Sequence, residues 1–272
     1  MLLSAARVAA QDPPASPTCT TTAIAWVDPA GGTNLGMSDD STSVVTLPTG
    51  MSVMSYGQSY TQLMNSSNGF VRYGSSSGSY YANGSIPATA EPNGIVAAAW
   101  DDWNPSAGGS VSWQGQGSAP NRTFVVTWAN VPSYNVTGSA VSFQVVFEEG
   151  TDAVRLQYLD MLTGSSGYDS GASATAGVDS PTGEYGRLIS LNAPNLTDGK
   201  AYRCATPVGT APTITTASLP AGTSGSSYGP LTVVATGGAK ACAFSAMARV
   251  EKGGARLLWA SPELDLEFSA AG

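Results

Sequence analysis

The stretch "AVSFQVVFEEGTDAVRLQYLD", residues 140–160, constrains the fold more than any other part of the chain. Phe143, Val145 and Phe147 recur at every second position, and so do Val154, Leu156 and Tyr158. A period of two places each triplet on one face of a β-strand. A four-residue loop, Glu149-Gly150-Thr151-Asp152, then sets Phe147 opposite Val154, Val145 opposite Leu156 and Phe143 opposite Tyr158. Those six side chains form one apolar face. Gln144, Val146, Arg155 and Gln157 form a more polar one, with Glu148 diagonal to Arg155. Phe124, Val126 and Trp128 share a face by the same alternation and complete the expected core.

The rest of the chain repeats this grammar. Short apolar or alternating runs lie at 22–27, 42–47, 51–56, 59–64, 69–73, 94–100, 110–114, 122–131, 172–178, 184–190 and 199–204, separated by Gly/Ser/Asn/Asp clusters. No segment keeps a 3.6-residue period for three turns. Only 11% of residues are charged, with 32 Gly and 17 Pro, so helix formers are scarce and turns abundant. The expectation is an all-β chain, a two-sheet, jelly-roll-like β-sandwich. Its boundaries are read as a disordered leader or signal remnant over 1–18, the sandwich over 19–204 and a linker over 205–212. A small C-terminal region over 213–272 carries a compositionally divergent tail that holds four of the 11 basic residues.

Composition also removes functions. The chain has no histidine, which excludes Ser-His-Asp and Cys-His catalysis and every His-ligated metal site. A net charge of −8, with scattered basic residues, argues against a nucleic-acid partner. No run approaches the roughly 20 apolar residues of a membrane helix. Cys19, Cys204 and Cys242 make no CxxC motif. Cys19 and Cys204 bracket the strand-rich stretch and are expected to pair; the alternative is two buried free thiols. Closing so long a loop stabilises by about 4–5 kcal/mol in the chain-entropy model.

The chemistry-bearing motif is "GIVAAAWDDWNP", residues 94–105. Its apolar run reads as a central strand covered on both faces. Strict alternation groups Ile95, Ala97, Ala99, Asp101 and Trp103 on one face, with Val96, Ala98, Trp100 and Asp102 on the other. Asp101 and Asp102 then diverge, so they are not a self-contained acid/base pair. Three roles stay open. The acids end a strand and cap the Asn104-Pro105 turn. They form a Ca²⁺ site with Asp39 and Asp40, or with Asp28. Or they are half of a carboxylate hydrolase site completed by Glu148. Trp103 and Trp113 flank a Gly/Ser loop and are the expected exposed pair for stacking on a sugar.

The order of motifs resembles a known family. "DPAGGTNLGMSDDSTSVVTLP", "YGQSYTQLMNSSNGFVRYG", "NGSIPATAEPNGIVAAAWDDWNP", "APNRTFVVTWANVP" and "SFQVVFEEGTDAVRLQY" are together similar to nidogen-like extracellular domains of bacterial secreted and surface proteins, over about residues 22–204. The resemblance implies a secreted or cell-surface, non-catalytic β-sandwich used in adhesion, display or matrix contact, with an extracellular protein or glycan as partner and no obligatory cofactor. It carries no catalytic residues over. Asn68-Gly69 is expected to make a tight turn. Residues 218–238 resemble the opening of the Ig-like repeats of bacterial surface proteins. The aromatic strand and second "LP-x-G" segment that should follow are missing, so an incomplete repeat is expected. The rival is a Ca²⁺-assisted carbohydrate-binding module or a carboxylate-only glycosidase. The thiol pairing has a direct check: intact mass after alkylation without reductant shows one blocked thiol if Cys19 and Cys204 are joined, and three if they are free.

Overall fold

In a computed structural model, the described part of the chain comprises residues 16–205 and, for the backbone alone, strands at 213–214, 231–236, 243–251 and 254–259. Residues 1–15 of the expected leader, residues 206–212 of the expected linker and Cys242 lie outside the described residues. Thr18, assigned to the leader from sequence, instead opens the first strand.

The larger compact unit is Ala15–Pro207. Among the described residues its strands are β1 (Thr18–Ala23), β2 (Thr33–Asn34), β3 (Thr42–Thr46), β4 (Val53–Ser55), β5 (Gln58–Tyr60), β6 (Gln62–Ser66), β7 (Phe70–Tyr73), β8 (Ile95–Trp100), β9 (Ser110–Gln116), β10 (Thr123–Val131), β11 (Val141–Glu148), β12 (Val154–Asp160), β13 (Thr175–Asp179), β14 (Gly186–Leu191) and β15 (Lys200–Ala205). They form two antiparallel sheets, one ordered β1-β15-β12-β11-β10-β9-β2 and the other β14-β13-β8-β7-β6-β3, with β4-β5 as a separate hairpin. This is the two-sheet sandwich that the alternation predicts. The smaller unit contributes β16 (Thr213–Ile214), β17 (Leu231–Thr236), β18 (Ala243–Glu251) and β19 (Gly254–Trp259), paired in that order. No helix among the described residues is long and apolar enough to cross a membrane.

The β11–β12 register is the one read from sequence: Phe143 faces Tyr158, Val145 faces Leu156 and Phe147 faces Val154. All six belong to the inner core, as do Phe124, Val126 and Trp128. Trp128 stacks on Phe143 with ring centroids 5.0 Å apart. Cys19 faces Cys204 across the β1–β15 pair, and the two form a disulfide spanning 185 residues.

The polar face of the hairpin departs from expectation, because it too is buried. Gln144 and Gln157 are both 0% exposed. The chain leaves β1 and crosses their face. Gln157 accepts from Ala25 N and donates to Ala25 O, both at 3.0 Å. Gln144 accepts from Val27 N at 3.2 Å and donates to Val27 O at 2.6 Å. Gln114 donates to Asp28 O at 2.9 Å. Side-chain amides thus pair with this segment as a neighbouring strand would. The expected strand at 22–27 is therefore β1, shifted to Thr18–Ala23, followed by this crossing. A 3-10 turn at Pro29–Gly31, capped by Asp28, then leads into β2, too short to stand out in the sequence.

Replacing Gln144 by Met keeps the volume but takes the partners from the half-buried Val27 amide and carbonyl and from the buried Thr127 hydroxyl and Gln157 amide. Urea unfolding should register a loss of about 2–4 kcal/mol. A change below about 0.5 kcal/mol would show that the crossing segment does not depend on this amide.

Candidate functional site

How β8 presents its terminal acids depends on a bulge. Ala98 N and Ala99 N both donate to Gly69 O, at 3.1 and 3.2 Å. Two residues thus face one, and the β8–β13 register shifts at the same place. Val96, Ala98 and Ala99 lie in the inner core, while Ile95, Ala97 and Trp100 join an outer cluster with Met64, Phe70 and Ile86. The faces read from strict alternation therefore hold through Ala98 and exchange beyond it. The carbonyls exposed by the bulge are satisfied from within: the Tyr158 hydroxyl donates to Ala98 O at 2.7 Å and the Trp103 indole to Ala99 O at 2.6 Å. Gly69 has φ +79°, and a Cβ there would stand 2.0 Å from Ala99 O, so only glycine fits.

Past the bulge the two acids diverge. Asp101 is 8% exposed; one carboxylate oxygen accepts from Asp102 N at 2.9 Å and the other from the Ser173 hydroxyl. Asp102 instead meets Asp39 and Asp40, with one carboxylate oxygen from each lying within 4.8 Å of the others. Hydrogen bonds fix this meeting. Asp39 N donates to Ser106 Oγ at 3.0 Å. The fully buried Asn68 donates to Asp40 Oδ1 at 2.7 Å and accepts from Trp103 N at 3.1 Å. Asp40 sits at φ 48°, a left-handed conformation that Asp tolerates. Asp39 Oδ1 is shielded from solvent and accepts no hydrogen bond.

The electrostatics follow. Partial burial, then the charges of Asp39, Asp40 and Asp101, push the Asp102 carboxyl up to about 6. Burial and the Asp40 charge raise Asp39, and burial raises Asp101 despite its hydrogen bonds. Crowded, partly dry carboxylates have two ways to lower their energy: hold a proton, or hold a hard cation. Ca²⁺ takes six to eight oxygens and accepts irregular geometry, so Asp39, Asp40 and Asp102 could supply part of such a shell.

The structure sorts the residues singled out from sequence. Asp39, Asp40 and Asp102 come together; Asp101 turns away to Ser173. Asp28 is occupied in capping Ala30 N. The Asn104-Pro105 turn is capped by Asn104 itself, whose Oδ1 accepts from Ser106 N. Glu148 pairs with Arg203 at 2.6 and 2.9 Å and with Arg155 at 3.7 Å. It stands five residues along β11 from Phe143, or roughly 17 Å from the Asp102 end. Trp103 was expected to be exposed, yet it is 0% exposed, because its indole is needed to satisfy the bulge. Trp113 is half-buried and stacks on Phe124 at 5.2 Å. Sequence reasoning missed Asn68, whose Asn-Gly context signalled a turn and gave no sign of the side-chain bridge.

Comparison with protein families decides the kinship: the family described as NIDO related matches residues 17–217. The chain belongs to the NIDO-related family. The NIDO-related domain is an extracellular type of module, and the Cys19–Cys204 disulfide is consistent with an oxidising compartment. Neither a curated protein nor a solved structure was found to match the chain.

The raised carboxyls of the NIDO-related domain fix a pH dependence. A group whose folded pKa lies above its unfolded value stabilises fully below the unfolded value and loses that contribution as pH rises. For Asp102 the window runs from near 4 to about 6, and for Asp179, raised by burial, to about 7. Glu148 and Glu149 act oppositely below about 4.5, because arginine partners lower them. The melting temperature should peak near pH 4–5 and fall toward pH 8. Asp102→Asn should raise it at pH 7.5 and shallow the slope. An unchanged slope in that variant would contradict the assignment.

Proposed function

We propose that the chain is a secreted or cell-surface, non-catalytic module that contacts an extracellular protein or glycan through the loops where β8 ends. One observation carries the reading. Three separate loops, 37–41, 66–69 and 102–106, are tied to one another by the Asp39–Ser106, Asp40–Asn68 and Asn68–Trp103 hydrogen bonds. They present polar groups from a sandwich whose inner core is closed. Fixed loops on a rigid scaffold are the usual device for recognition without chemistry. Family membership and the disulfide support an extracellular setting. We read the smaller unit, with its antiparallel β16–β19 sheet, as part of an Ig-like repeat, the kind of neighbour such a surface protein carries.

A second reading is favoured by the Asp39–Asp40–Asp102 meeting: a Ca²⁺-assisted carbohydrate-binding module, or a glycosidase using carboxylates alone. The hydrolase version loses its expected partner, since Glu148 is held by two arginines at the far end of β11.

The discriminating experiment puts the full chain on a glycan array with and without chelator, alongside adhesion of chain-coated beads to cells and matrix. The proposal expects adhesion that falls at least tenfold in the triple variant Asp39→Asn, Asp40→Asn, Asp102→Asn. Calcium-dependent glycan capture would promote the second reading. Glycan hydrolysis lost in Asp102→Asn would overturn the non-catalytic one.

A further inference from the structure

Charge and exposed apolar surface are sorted along the sandwich. The five arginines of residues 16–205 gather at the end where β8 begins. Arg72 faces Ile95, Arg187 faces Val178, and Arg122, Arg155 and Arg203 surround Glu148 and Glu149. Glutamates answer most of them there, including Glu91 against Arg72 at 2.9 Å. The end where β8 stops has no such balance. Asp39, Asp40, Asp101 and Asp102 lie at the exit of β8, and Asp160 closes β12 opposite Ser142. Lys200 is the one cation of residues 16–205 toward this end, and its ammonium is engaged by Asn195 O at 2.8 Å.

The exposed large apolar side chains follow the acids. Among the described residues there are five, Val44, Tyr81, Tyr134, Leu159 and Leu162, and all but Val44 sit at the acidic end. Tyr134 is 59% exposed, and its backbone N–H donates to Asp102 O at 2.9 Å. Leu159 and Leu162 flank Asp160, which accepts from Leu162 N at 3.0 Å. Tyr81 follows Tyr80, whose carbonyl accepts the Trp100 indole N–H at 2.6 Å. Exposed aromatic and aliphatic groups concentrated at one end mark a contact surface. The acids decide what can approach it. Like charge disfavours a second copy docking end to end, an anionic lipid surface or a nucleic acid.

We propose that the acidic end docks a basic polypeptide segment, whose Lys or Arg head groups meet the aspartates while its apolar side chains and stems lie on Tyr81, Tyr134, Leu159 and Leu162. The inference rests on the reading of these loops as the recognition surface, and it narrows the partner from any extracellular molecule to a cationic protein surface. Arginine or lysine over an exposed tyrosine ring adds a cation–π contribution that a neutral glycan lacks.

The test uses the full chain in chelator with three short synthetic peptides: alternating Lys/Leu, alternating Lys/Ser and alternating Glu/Leu. The Lys/Leu peptide should bind at least about tenfold more tightly than Lys/Ser, weaken as salt rises, and leave Glu/Leu unbound. The double variant Tyr134→Ser, Leu162→Ser should remove the preference for Lys/Leu, weakening that peptide far more than Lys/Ser, which loses only the cation–π contribution of Tyr134. Asp39→Asn with Asp40→Asn should weaken both cationic peptides, and Glu184→Gln at the arginine end should change neither. Melting temperatures of all variants confirm folding, since the altered side chains lie outside the core. Equal binding of Lys/Leu and Lys/Ser, or a Lys/Leu affinity indifferent to Tyr134 and Leu162, overturns the inference. So does glycan capture at this end with no peptide binding. If bead adhesion falls in the aspartate variants while no cationic peptide binds or competes, the recognition surface stands and the cationic partner falls.

Discussion

The acidic end of the sandwich hangs on two consecutive amides that share one carbonyl. Ala98 and Ala99 both reach Gly69 O, and that single irregularity re-aims everything after it on the strand. Without the extra residue, Trp100 would turn inward and Asp102 would point to the other side of its sheet. The bulge persists because each of its loose carbonyls has a partner supplied by a large aromatic residue. Tyr158 reaches across from the opposite sheet, and Trp103 folds back from beyond the strand end. Trp128 adds a third link, its indole donating to Ser66 O and Ser67 O at 3.1 and 3.0 Å. The aromatic tips thus do polar work inside an apolar layer, where an unmet carbonyl would cost about 1–3 kcal/mol.

This shared-carbonyl geometry also explains which parts of the molecule could be read beforehand. The β11–β12 hairpin was legible because period and loop length together leave one register. The central, two-faced character of β8 was legible from its unbroken apolar run. The bulge was not, since it is created by the approach of a turn some thirty residues earlier. Its only trace is Gly69, and a glycine after asparagine reads first as a turn. The burial of Trp103 is hidden from the sequence for the same reason. Its flanking Gly/Ser loop signals exposure, and nothing local announces that Ala99 O needs a donor. The pairing of Asp39 and Asp40 with Asp102 was proposed from acid density, while the element that enforces it, the Asn68 side chain, stayed hidden in the turn.

An antiparallel sheet can leave its outer face to water, yet this chain covers part of both outer faces, in two ways. The β8-bearing sheet is covered by Ile86, Tyr80 and their loop, an apolar solution. The disulfide-bearing sheet is covered by a polar one, in which Gln114, Gln144 and Gln157 grip the main chain running over them. Glutamine alternating with large apolar residues looks like a solvent-facing stripe. Burial of both stripes makes this a sandwich with covered flanks, and it leaves the strand-end loops as the surface on which acids and exposed tyrosines meet.

The crossing segment has a mechanical consequence. β1 and β2 are the two rims of the seven-stranded sheet, and only residues 24–32 join them. Six interstrand gaps span about 29 Å, close to the reach of so short an extended chain. The connection has room for little beyond its 3-10 turn at Pro29–Gly31, and both rims are delivered by one stretch of backbone. A proteolytic nick or an insertion within it would slacken the β2 margin, while β1 stays stapled to β15 by the Cys19–Cys204 disulfide. Unpaired strand edges invite other chains, so the tether guards the β2 rim as the disulfide guards the β1 rim.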